Sequence, residues 1–94
     1  MSTPEHGVRF ELVLEEREGE RAVYQGFAFT PERSIPLVVV AEIASAKARI
    51  GGEERPANAD ALEKAAAALV RAATRAELAE GAAVPRKIVR WRAL

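Results

Sequence analysis

The chain has 94 residues, 49% of them hydrophobic, with 14 basic side chains, 14 acidic ones and no cysteine. That length suits one domain with a thin two-layer core, and the composition is too apolar for a disordered chain. Zero formal charge argues against a histone-like coating of nucleic acid, and the missing cysteine removes disulfides, thiolate metal sites and cysteine nucleophiles.

The charge is unevenly placed. Residues 1–54 carry ten acids against six bases, and residues 55–94 carry four acids against eight bases. The two parts therefore sum to −4 and +4. That suits a solvated surface, the pairing of two copies, or an anionic partner.

Met1-Ser2-Thr3-Pro4-Glu5-His6 is polar and reads as a frayed end. It lacks the basic-then-apolar order of a secretory leader, so the cytoplasm is the expected setting. Residues 8–15 then alternate, with Val8, Phe10, Leu12 and Leu14 set against Arg9, Glu11 and Glu15, which predicts a half-buried strand. Val13 breaks the alternation and points to a partly covered second face. Residues 16–21 are a charged turn in which Gly19 can take a positive φ. Val23, Tyr24, Phe27 and Phe29 predict the returning strand over 22–30. Two registers are open. A four-residue loop pairs Phe10 with Phe27, whereas a bulge near Gln25-Gly26 puts Tyr24 and Phe27 on one face.

Thr30 to Ser34 is a turn, and residues 35–44 form a third strand with Pro36 near its start. Its Val38-Val39-Val40 run favours burial. Residues 44–50 alternate Ala with Ser45, Lys47 and Arg49 and read as strand rather than helix, ended by Gly51-Gly52. The stretch from Leu37 to Ala46 is the longest mostly apolar one; it is too short to span a membrane and contains Glu42, so no membrane partner is expected.

A helix follows residues 51–57. Asn58 or Asp60 can cap it, and Asp60 with Glu63 has capping-box spacing. Gly81 sits where a left-handed C-cap belongs. Leu62, Ala65, Ala66, Leu69, Ala73 and Ala76 share one face, while Lys64, Arg71 and Arg75 lie opposite. Thr74, mid-helix, is expected to return its hydroxyl to an upstream carbonyl. Residues 87–93 form a last strand. The expected fold is α+β, a single domain over residues 1–94. Its antiparallel sheet of three to four strands, in chain order β-β-β-α-β, carries one Ala-rich amphipathic helix on one face. The expected large core side chains are Val8, Phe10, Leu12, Leu14, Tyr24, Phe27, Phe29, the Leu37–Val40 run, Ile43, Leu62, Leu69, Val89 and Trp91.

No arrangement of residues predicts catalysis, a cofactor or a metal. His6 is the only histidine and has no nucleophile partner. Glu15, Glu16, Glu18 and Glu20 are interleaved with Arg17, Gly19 and Arg21 and lack the Asp/Asn ladder of a calcium loop. Glu42 is expected to face solvent. Gly51-Gly52 lacks a phosphate-loop fingerprint, and Ser34, Ser45, Thr30 and Thr74 have no nucleophile context.

One run suggests a ligand. Arg86, Lys87, Arg90, Trp91 and Arg92 interleave bases with an aromatic ring, as strands that track phosphates and stack bases do. The competing expectation puts Trp91 in the core, with Arg90 and Arg92 paired across strands to Glu11 or Glu15. The sequence thus predicts a non-enzymatic protein-interaction or structural module, contacting a second copy or a protein partner through the edge or second face of its sheet. Single-stranded nucleic-acid binding through the basic C-terminal strand is the alternative.

Overall fold

The computed structural model describes residues 7–52 and 54–93; the frayed end expected at 1–6, His6 included, lies outside them. Five strands and one helix follow in the order β1 (Gly7–Glu18), β2 (Arg21–Phe29), β3 (Ser34–Ala41), β4 (Ala46–Ile50), α1 (Ala59–Glu80) and β5 (Lys87–Ala93). The strands make one sheet in the order β4-β3-β2-β1-β5, with every neighbouring pair antiparallel. The helix covers one face, so the architecture is α+β in two layers.

The β1–β2 hairpin adopts neither expected register. Gly19, at φ 58°, opens a two-residue turn between the paired Glu18 and Arg21. Glycine with positive φ at the first turn position matches the right-handed twist of the flanking strands. The bulge lies in β1, between Leu14 and Glu16, and not in β2. Phe10 therefore faces Ala28, and Glu11 faces Phe27. Tyr24 and Phe27 end on opposite faces. Past the bulge the alternation of β1 inverts, and Arg17 turns toward the helix layer. Its Nη1 donates to the Ala82 carbonyl, just beyond the helix, at 2.6 Å.

The third strand of the sequence reading divides in two. It stops at Ala41, and the Glu42 N–H donates to the Ser45 carbonyl at 2.8 Å to close a reversal into β4. This makes five strands rather than three or four. Glu42 sits in that turn and is exposed, as expected.

The helix packs its Leu62, Ala66, Leu69, Val70, Thr74 and Leu78 stripe on Val8, Phe10, Leu12, Tyr24, Ile35, Leu37, Val39 and Ile88. Ala76 is exposed and Ala65 and Ala73 are only half-buried, so the buried stripe is turned toward Val70 and Leu78. Thr74 is fully buried and its hydroxyl donates to the Val70 carbonyl at 2.8 Å, which removes the penalty of a lone polar group in the core.

Gly81, at φ 69°, closes the helix; its N–H reaches the Leu78 carbonyl and that of Ala82 reaches Glu77. At the other end the capping box does not form. Asn58 occupies the N-cap position without a side-chain cap bond. Glu63 is instead drawn to Arg55, which donates to both of its oxygens at 2.9 and 3.0 Å, and to the Ile50 N–H at 2.9 Å. These bonds hold the Glu63 carboxyl down at about 2, first through Arg55 and then through the Ile50 amide. Arg55, which also reaches Asp60 at 2.6 Å, is pushed above its ordinary range by the same two carboxylates. Among the described residues no helix is long and apolar enough to cross a membrane.

Candidate functional site

A sheet with one helix has one covered face. The other carries a second set of apolar side chains, because several strands are apolar at both parities. Val13 lies between Leu12 and Leu14, and Val38 lies between Leu37 and Val39. Val13, Phe27, Val38, Val89 and Trp91 are all large, apolar and 39% to 55% exposed. The pairing places them together. Val38 neighbours Gln25, which neighbours Val13, which neighbours Lys87. One step along the strands, Pro36, Phe27, Glu11 and Val89 form the next row, and Ser34, Phe29, Arg9 and Trp91 the one after.

Four residues expected in the core are thus corrected to this open face: Phe27, Val38, Val89 and Trp91. Side-chain volume suggested the core, but the period of two decides the face, and β1, β2, β3 and β5 each have only one covered side. Phe29 and Val40, also expected in the core, are half-buried on the same open face.

The charges of this face are arranged around Glu11. Its carboxylate meets Arg9 at 3.0 Å and Lys87 at 3.6 Å. These partners replace the Arg90 and Arg92 pairing expected from sequence. The Arg9 guanidinium also lies 4.8 Å from the centre of the Phe29 ring and 6.0 Å from that of Trp91, so one cation bridges two aromatic faces across three strands. Phe27 and Phe29 are 5.7 Å apart, centre to centre. Phe27, Phe29, Arg9 and Trp91 form a continuous, largely apolar strip.

The basic C-terminal run is divided by its own pleat. Lys87 and Trp91 lie on the open face, with Val89 between them. Arg90 and Arg92 point to the helix side, and Arg86 precedes the strand. Arg90 Nη1 donates to the Val89 carbonyl and Arg92 Nη1 to the Trp91 carbonyl, each at 2.8 Å. Leu14 donates to the Arg86 carbonyl, so by ladder alternation the carbonyls of Val89 and Trp91 point to the free edge of β5. The two arginines occupy acceptors that an added strand would need. On the opposite edge, β4 is only five residues long and Glu63 takes the Ile50 N–H. Both sheet edges are blunted, and the face is left open.

Sequence reasoning placed Arg9 on the polar face of β1 but missed its contacts with Phe29 and Trp91, and it missed the Phe27–Phe29 pair as surface residues. The signal was present: Val13 and Gln25 interrupt their strands in phase with Phe27 and Phe29. Among the described residues no group of three or more metal-ligating side chains comes together. A scan against family models finds no match, and searches of curated proteins and of solved structures find none either.

Proposed function

We propose that the protein is a non-enzymatic interaction module that associates with a second copy of itself through the open face of its sheet. The observation that carries this is the gathering of Val13, Phe27, Val38, Val89 and Trp91 on the one face the helix leaves uncovered. Apolar area of this kind, rimmed by charge, favours burial against another surface. The blunted edges support the face over the edge as the contact. Glu11 supports it too, since its charge is already matched by Arg9 and Lys87 and need not be desolvated alone.

Sedimentation across a wide concentration range tests this reading. The wild-type chain sediments as a dimer that dissociates on dilution, and Phe27→Asp or Val38→Asp sediments as a monomer with unchanged circular dichroism. A wild-type monomer at every concentration sinks the proposal.

The strip of Phe29, Arg9 and Trp91 favours a second reading, the stacking of unpaired bases with Lys87 near a phosphate. Against it, Glu11 sits among these bases, and Arg90 and Arg92 lie on the other side.

A further inference from the structure

The open face carries an exposed indole and a depression at different places across its width. Trp91, on edge strand β5, is the most exposed large apolar side chain among the described residues, at 55%. The depression lies over β1 to β4, lined by Val13, Gln25, Phe27, Pro36, Val38 and Arg49, and takes in the paired Glu11 and Lys87. Trp91 is not among its walls. We propose that in the dimer Trp91 of each copy seats in this depression of the other. The inference rests on the self-association reading above and specifies its register.

Symmetry makes the match reciprocal. A two-fold axis in the plane of the contact that carries the indole of one copy onto the depression of the other makes the converse contact in the same step. The chemistry of the two parts fits. The depression offers valine and proline surface to the indole body and the Phe27 ring for an edge-to-face contact, while the Gln25 carboxamide can accept from the indole N–H. Arg9, lodged between Phe29 and Trp91, supports the indole from its own strand.

The contact is also large enough. Five strands about 4.8 Å apart and about 25 Å long present roughly 600 Å² in projection. A side-chain surface of that extent approaches the roughly 800 Å² each partner contributes to an ordinary stable dimer. The central charges of Glu11, Arg9 and Lys87 are paired within each copy, and Arg49 is an exposed side chain of the short edge strand β4.

The chain has a single Trp, so its fluorescence reports this contact directly. The emission of Trp91 is expected to shift to the blue as concentration rises through the dimer transition, and Val38→Asp is expected to abolish the shift. Trp91→Ala is expected to weaken the dimer by roughly 30-fold or more, the loss typical of an anchor residue. Circular dichroism should be unchanged, since the side chain is mostly outside the core. A dimer in which Trp91 stays solvent-like and Trp91→Ala changes nothing overturns the seating of Trp91 and leaves self-association standing. A monomer at all concentrations overturns both. A monomer whose Trp91 emission is quenched by an oligothymidylate at low salt overturns both and assigns the face to single-stranded nucleic acid.

Discussion

Phe10 and Phe27 lie on adjacent strands, one residue out of step, yet their surroundings are opposite. Phe10 is fully buried beneath the helix, and Phe27, which pairs with Glu11, is 44% exposed. The covered face is built from close-packed Leu, Val and Tyr with an Ala-lined helix above it. The open face is as aromatic but has nothing folded over it. The difference shows that pleat parity and the number of covering layers decide the environment of a large apolar side chain, whatever its hydrophobicity.

The comparison can be broken most directly by truncating both rings. Phe10→Ala is expected to cost about 3–5 kcal/mol of unfolding free energy, the usual loss for a core phenylalanine. Phe27→Ala is expected to cost about 1 kcal/mol or less in dilute chain, while abolishing any concentration dependence of the midpoint. Urea titrations at two protein concentrations check both, and equal losses would erase the distinction between the faces.

Gly26→Ala probes the backbone shared by the two faces. A Cβ there would fall 1.8 Å from the Glu11 carbonyl oxygen, so β1 and β2 must separate. A loss of roughly 1–3 kcal/mol is expected, as for other overpacked sites. Faster amide exchange confined to β1 and β2, with protection kept in the rest of the sheet, would locate the damage.

Tyr24→Phe sharpens the picture of the covered side. The Tyr24 hydroxyl donates to the Pro85 carbonyl at 2.5 Å and ties the connector after the helix to the sheet. Removing it is expected to cost about 1 kcal/mol. Burial, reinforced by the Glu77 carboxylate and opposed by Arg17, pushes the phenol from its ordinary 10 to about 12. A raised phenol value favours the neutral folded form. Its contribution is complete below pH 10 and is lost as pH rises toward 12. The variant should lose that alkaline slope.

Glu63→Gln is expected to give the smallest loss of the set, present at neutral pH and vanishing in acid. The folded carboxyl lies near 2 against an ordinary 4.5, so its contribution is present above pH 4.5 and lost as pH falls toward 2. Thermal melts should show a flatter acid limb in the variant. An unchanged limb would mean that the Arg55 and Ile50 contacts do not hold that proton off.

Much of this architecture was legible in the sequence. The alternation of Val8 to Leu14, the helix, the Gly81 terminus and the hydroxyl of Thr74 all follow from local rules that the structure keeps. Three features were not. The bulge at Glu15 has no marker residue, and it sets which aromatic of β2 faces the helix. The Glu42–Ser45 reversal contains no glycine, proline or asparagine, so it reads as continuing strand into the Ala alternation that follows. The faces of Phe27 and Trp91 depend on how many layers cover the sheet, which no local pattern states. The open face itself was foreshadowed by Val13, the one apolar residue out of phase in its strand.

The two arginines on β5 carry a consequence for growth. Edge pairing between sheets is open-ended, because each added strand exposes a new template, and it leads to ribbons. A face can be occupied only once. With Arg90 and Arg92 donating to the outward carbonyls of Val89 and Trp91, and Glu63 holding the amide of Ile50, an added strand meets occupied groups at both sides. If the open face is the contact proposed above, association confined to a single plane yields a finite particle rather than a ribbon.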